Sequence, residues 1–204
     1  SREEQYVGVP EEGGKGLITT DPLSPGSVYT ASVDAQGKGS LYRLEIGCSS
    51  GKGKLQIAGG VDSDMKESLK RAFAYIEGHK SEMGMGKELD NTDFHVEAID
   101  LLTKGASCEA GVALLVAIHS AVKKTAVLPA LLILGDMSIQ GNIKPVRSLA
   151  EPLQIAMDNG ARRALIPIEN KRDFLEVSAD IAERVDPIFY GDPMTAAMKA
   201  LGLT

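Results

Sequence analysis

The stretch "DFHVEAIDLLTKGASCEAGVALLVAIHSA", residues 93–121, changes its hydrophobic period part-way along. Over "DFHVEAIDLL" (93–102) apolar and polar residues alternate, which predicts a strand with one buried face. From Ser107 to Lys123 the apolar residues Val112, Leu115, Val116 fall at helical spacing together with His119, which predicts a helix. Between them lies a loop of small residues, and a carboxylate, Glu109, stands where loop meets helix. A helix N-terminus presents free N–H groups and the positive end of the dipole, so developing negative charge is favoured there. Two readings of Glu109 follow: a chemical group at an anion-favouring position, or a first-turn acid complementing the dipole while Ser107 caps the helix.

Strand signals dominate upstream. "GSVYTASVD" and "GSLYRLEIGCS" alternate on either side of Gln36-Gly37-Lys38-Gly39, a hairpin pattern, and "GKLQIAGG" (53–60) is a third short strand. Met65, Leu69, Phe73 and Ile76 then mark a helix, with Asp62, Ser63 or Asp64 available as its cap and Gly78 as its stop. "SEMGMGKELDNT" (81–92) reads as a loop. Downstream, "LPALLILG" (128–135) is a continuous apolar run, as in a strand covered on both faces. "DMSIQGNIKPV" turns at Gln140-Gly141-Asn142, and a helix from Ser148 to Asn159 stops at Gly160. "RRALIPI" and "DPIFYG" are strands, "NKRDFLEV" is a short helix, and a closing helix is capped by Asp192 with Pro193 in its first turn. Strands first, then strand and helix in alternation, predict an α/β (α+β) domain with a β-rich first part and βαβ crossovers after residue 93. Residues 1–15, polar and Gly-rich, are expected to be a linker or a disordered start, and 16–204 a single domain cut from a larger protein.

Composition narrows the function. With 204 residues, 43% hydrophobic and 25% charged, the chain has the makeup of an ordinary globular protein. A net charge of −6 and the lack of a basic run argue against a domain that grips nucleic acid by itself. The apolar run Ala126–Leu134 is broken by Pro129 and is too short to span a membrane, so no membrane partner is expected. Cys48 and Cys108 read as free thiols of a reducing cytoplasm. His79, His95 and His119 show no ligand spacing, so no metal is expected, and His119 reads as a packed core histidine. "GKGK" (51–54) precedes a strand and lacks the frame of a phosphate loop.

The order of motifs resembles the proteolytic domain of the Lon family of ATP-dependent proteases. The pieces are "GKGKLQIAGGVDSDMKESLKRAFAYI", the stretch quoted first, "LGDMSIQGNIKPVRSLAEPLQIAMDNGARRALIPIENKRDF" and "DPIFYGDPMTAAMKALG". Similarity to the Lon-related proteins of bacterial BREX phage-defence systems is greater still, through "LGDMSIQGNIKPVRSLAE", "NGARRALIPIEN" and "FYGDP". The resemblance implies a Lon-type fold, an upstream AAA+ module that binds ATP and Mg, a ring-forming homo-oligomer, and DNA contact through other domains. In the family a nucleophilic serine directly precedes the Ala-Gly of the helix start, and its lysine lies in a G-G-L-K-E-K segment. Here Glu109 precedes Ala110-Gly111, and Ala150 is expected at the lysine position, so the Ser–Lys dyad is expected to be missing. Glu109 would then be a buried structural carboxylate needing a cation, with Lys144 and Arg147 as candidates. The alternative is a displaced peptidase site, with Ser107 or Cys108 as nucleophile and Lys144 as base. A third possibility is a nucleic-acid or ligand-binding module, against which the acidic balance weighs.

Overall fold

The computed structural model describes residues 16–204; the expected linker at 1–15 lies outside them. A seven-stranded mixed sheet runs through the domain in the order β3-β4-β2-β1-β5-β8-β9. β1 (Ser27–Val33) and β2 (Gly39–Ser50) form the expected antiparallel hairpin, and β2 also pairs antiparallel with β4 (Thr92–Asp100). The other four pairings are parallel: β3 (Leu55–Ala58) with β4, β1 with β5 (Leu131–Ile133), β5 with β8 (Arg163–Pro167), and β8 with β9 (Asp186–Tyr190). A sheet that is mostly parallel needs helical crossovers, and these cover both faces.

The alternation of side chains assigns the faces. Leu131 and Ile133 of β5 enter one core, and Leu132 and Leu134 enter the other. This is the physical reason for the unbroken apolar run there. The first core is shared with α1 (Ser63–Gly78), α3 (Gly111–Lys123) and α7 (Pro193–Ala200), the second with α4 (Ala150–Asp158), α5 (Lys171–Leu175) and α6 (Ala179–Arg184).

Four features differ from the sequence reading. The loop expected at 81–92 contains a short helix, α2 (Gly86–Asn91), which buries Leu89. The segment α6 is helical, capped by the Ser178 hydroxyl, which accepts from the Ile181 N–H. α3 begins at Gly111 rather than Ser107, and no side chain caps it. It is also buried on every side from Gly111 to Ser120 rather than along one stripe, because α1, α7 and the sheet strands β1 and β2 enclose it. Its Ala and Gly content permits that close packing.

The expected caps at other helices are in place. Asp62 accepts from the Met65 N–H at 2.9 Å, and Asp192 accepts from the Thr195 N–H at 2.8 Å. Gly160, at φ +114°, ends the turn after α4 in the left-handed region that a side chain disfavours.

Because α3 sits at the centre of the first core, truncation of Leu114, which is fully buried, tests the packing. Leu114→Ala is expected to lower stability by about 2–5 kcal/mol, read from the urea unfolding midpoint.

Candidate functional site

The helix start of α3 faces a cleft of about 650 Å³. Its walls are the β1–β2 turn, the first half of α1, the β4–α3 loop, Asp136 and Arg147. At its floor lies a carboxylate that the sequence reading did not single out. Asp136 opens the two-residue strand β6 (Asp136–Met137) directly after β5, and only 1% of its surface is exposed. Its Oδ1 accepts from Ser68 Oγ and from the Met137 N–H, both at 2.9 Å, and its Oδ2 accepts from Arg71 Nη2 at 3.0 Å. Ser68 in turn accepts from the Ala110 N–H at 3.0 Å. Three segments distant in sequence are thereby fixed: α1, the entry to α3 and the β6–β7 hairpin. Ser68 and Arg71, three apart on α1, share the face that makes this possible. Gly111 passes so close that a Cβ there would run into the Asp136 carboxylate. A side chain is excluded by that approach, which explains the glycine.

Lys144 lies on β7 (Ile143–Lys144), directly across from Asp136 in the hairpin register. Its Nζ stands 4.0 Å from Glu109 Oε2 and 4.0 Å from Asp136 Oδ2. Glu109 is therefore paired, and with one of its two expected cations. Arg147 lines the same cleft but is exposed and makes no ion pair among the described residues. The expectation of a buried Glu109 is corrected: 46% of its side chain is exposed, while Cys108 and Ala110 on either side are buried. At 4.0 Å and half exposed on both partners, the Glu109–Lys144 pair contributes about 0–1 kcal/mol.

The two displaced nucleophiles fare differently. Cys108 is buried, and burial pushes its thiol from 9.0 up to about 12, against the pull of hydrogen bonds with Ser40 and Thr30. A thiol attacks as the thiolate, so Cys108 is inert at neutral pH. Ser107 does not cap α3; its Oγ donates to Asp62 Oδ1 at 3.1 Å. Asp62 is already occupied by the Met65 N–H as the α1 cap. Among the described residues, neither Ser107 nor Cys108 is hydrogen-bonded to Lys144.

Ala150, the expected lysine position, is exposed and does not line the cleft. The α4 residue that shares a small crevice with Glu109 and Arg147 is Pro152, two positions on. Neither residue carries a group able to take a proton.

The remaining candidates are structural. His119 is 2% exposed, its Nδ1 bonds to the Leu115 carbonyl oxygen at 3.1 Å, and burial lowers its pKa. In the Gly-rich 51–54 loop, the N–H groups of Lys52 and Lys54 donate to Asp93 Oδ1 at 3.0 and 2.9 Å. Those donors hold the Asp93 carboxyl below its ordinary range and are taken, so the loop does not fit a phosphate.

This arrangement of mixed sheet, central helix and cleft at the helix start is that of a Lon proteolytic domain, and the chain belongs to that family. The model of the Lon protease (S16) C-terminal proteolytic domain matches residues 16–200. Among individual relatives, the Lon-like protease BrxL of Escherichia coli O9:H4 (strain HS) is 33% identical over 202 residues, covering 98% of this chain and 29% of the relative. The Lon-like protease BrxL of Bacillus cereus (strain H3081.97) is 31% identical over 204 residues, covering all of this chain and 30% of the relative. The Lon protease of Escherichia coli (strain K12) is 29% identical over 149 residues, covering 72% of this chain and 19% of the relative. This chain thus spans under a third of the length of each.

Two outcomes follow from the site. Asp136→Ala leaves Ser68, Arg71 and the Met137 N–H without their shared acceptor and is expected to cost about 2–3 kcal/mol in denaturant unfolding. The second concerns alkaline pH. The unfolded chain releases the Cys108 proton near 9.0 and the Tyr42 proton near 10.0. The folded chain holds both to about 12, Tyr42 through burial and the nearby Asp100, Cys108 and Asp62. Stability is therefore expected to be full below pH 9 and to fall as pH rises from 9 towards 12. Phenylalanine at 42 should flatten the upper part of that decline in a pH series of unfolding midpoints.

Proposed function

We propose that this domain has kept the Lon fold without its peptidase chemistry and couples subunits in a larger ATP-driven assembly of phage defence. The observation that carries the reading is Glu109, which occupies the nucleophile's place before Ala110-Gly111 and lies 4.0 Å from Lys144. A carboxylate there repels a second anion at the position where a tetrahedral oxyanion would develop. Neither Ala150 nor Pro152 offers a base, the Cys108 thiol is buried and protonated, and Ser107 points its hydroxyl at Asp62. Losing either member of a nucleophile–base pair removes most of the catalysis, and here both are replaced.

The phage-defence role rests on the resemblance to the Lon-related BREX proteins and on the BrxL relatives that match along the whole chain. On this reading ATP and Mg bind in a part of the longer protein outside this chain. Rings of that protein assemble in the cytoplasm, and contact with DNA belongs to its other domains. The network centred on Asp136 then serves to keep the former active-site wall rigid.

The test is proteolysis by the longer protein with ATP and Mg, read with fluorescein-labelled casein. No ATP-dependent cleavage above background is expected, and Glu109→Ser alone should not create it, since no lysine is hydrogen-bonded at that position. ATP-dependent cleavage that disappears on Ser107→Ala would overturn the reading and install the displaced site.

A further inference from the structure

β3 is one edge of the sheet, and no strand pairs with its outer side among the described residues. The ladder with β4 fixes which of its backbone groups are already taken. The Phe94 N–H donates to the Lys54 carbonyl oxygen at 2.7 Å, and in the register Leu55 stands opposite Phe94 and Ile57 opposite Val96. A parallel ladder of that phase turns the backbone groups of Lys54, Gln56 and Ala58 towards β4 and those of Leu55 and Ile57 outward. Two N–H donors and two carbonyl acceptors therefore stand in a row along the free side of this four-residue strand. Leu55-Gln56-Ile57-Ala58 contains neither a proline nor a charge, the devices that bar pairing at an edge.

Beside this edge an open groove of about 380 Å³ runs between β3 and α1. Its α1 wall is one helical stripe, Lys70, Phe73, Ala74 and Glu77, at the spacing i, i+3, i+4, i+7. Leu55 and Ile57 are half-buried against the first core and give the β3 side an apolar surface. The charged residues of the lining are Lys54, Lys70 and Glu77, so the groove is net basic in a chain of net charge −6. A row of free backbone groups beside an apolar trough is the geometry that accepts an added strand.

We propose that the β3–α1 groove binds a short extended segment of another protein, apolar at alternate positions and flanked by acidic residues. The segment adds a strand beside β3, its backbone bonded to the outward groups of Leu55 and Ile57. Every second side chain then enters the groove over Leu55, Ile57, Phe73 and Ala74, and the flanking acids meet Lys54 and Lys70. Each feature selects one property of the partner. Free backbone groups require an extended chain, the apolar surface requires apolar residues at a period of two, and the lysines require negative charge. A second copy of this chain is disfavoured at the same place. Two β3 edges brought together would set lysines against lysines, and the opposite edge strand, β9, is interrupted by Pro187. The groove shares no lining residue with the cleft at Glu109, so the proposal goes beyond the reading of that cleft and does not depend on it.

Fluorescence anisotropy of labelled peptides titrated with this chain tests it. The probe alternates valine and threonine and carries a glutamate at each end; a control carries lysine at each end instead. The glutamate peptide should bind saturably and the lysine peptide about tenfold more weakly. Lys70→Glu should reverse that preference. Lys70 is exposed, so the variant should keep the circular dichroism and urea midpoint of the wild type. Two further probes are N-methylated on the valine or on the threonine amides. Only one of these sets faces β3 in an added strand, so one methylation should abolish binding and the other should leave it. No saturable binding of the glutamate peptide, binding that survives both methylations, or an unchanged preference in Lys70→Glu would overturn the proposal. Self-association in sedimentation velocity that Lys70→Glu abolishes would assign the groove to a second copy and overturn it as well. Casein cleavage reads the cleft at Glu109, so a failed groove and a retained peptidase are told apart by separate experiments.

Discussion

The buried carboxylate of Asp136 is the constraint on which the geometry of the cleft depends. A charge with 1% of its surface exposed persists only if its oxygens are satisfied, and those of Asp136 are held by a hydroxyl, a backbone N–H and a guanidinium. Those partners come from α1 and the hairpin, and Ser68 passes the connection on to the Ala110 N–H at the start of α3. The same carboxylate forbids a side chain at Gly111, which fixes how closely α3 approaches the hairpin. With Lys144 opposite in the hairpin register, the position of the Glu109 partner is set by this cluster too.

Two carboxylates near one lysine have different duties because their environments differ. Asp136 is buried and bonded through both oxygens, and its loss is a structural event. Glu109 is half exposed and paired with Lys144 only at 4.0 Å, so it contributes little to stability. A residue worth so little to the fold can be exchanged at the start of α3 without a change of architecture. A family fold can for that reason be retained while its catalytic position is free to vary.

The strand pattern was legible because both of its causes are local. Alternation on either side of Gln36-Gly37-Lys38-Gly39 and over 93–102, and the continuous run at 128–135, follow from which faces are covered, and a strand forms within each of these stretches. Caps at Asp62 and Asp192 were legible for the same reason: the capping bond spans three residues. The start of α3 was misread. Ser107 looks like a cap in one dimension, yet its hydroxyl is drawn to Asp62, forty-five residues away, and the helix waits until Gly111. His119 was read correctly as a core residue, while the helix around it is enclosed on all sides, which no single-stripe pattern reveals.

By itself the sequence determined the class of fold, the order of its strands and main helices, and the place of Glu109 directly before Ala110-Gly111, since these depend on residue identity, periodicity and short-range bonds. Only the tertiary structure decided that Glu109 is exposed, that Lys144 rather than Arg147 pairs with it, and that Cys108 is sealed in the core. Each of these depends on long-range approach of α1, the β6–β7 hairpin and α4 to one loop. Burial and through-space charge, unlike periodicity, are not encoded in the spacing of neighbouring residues.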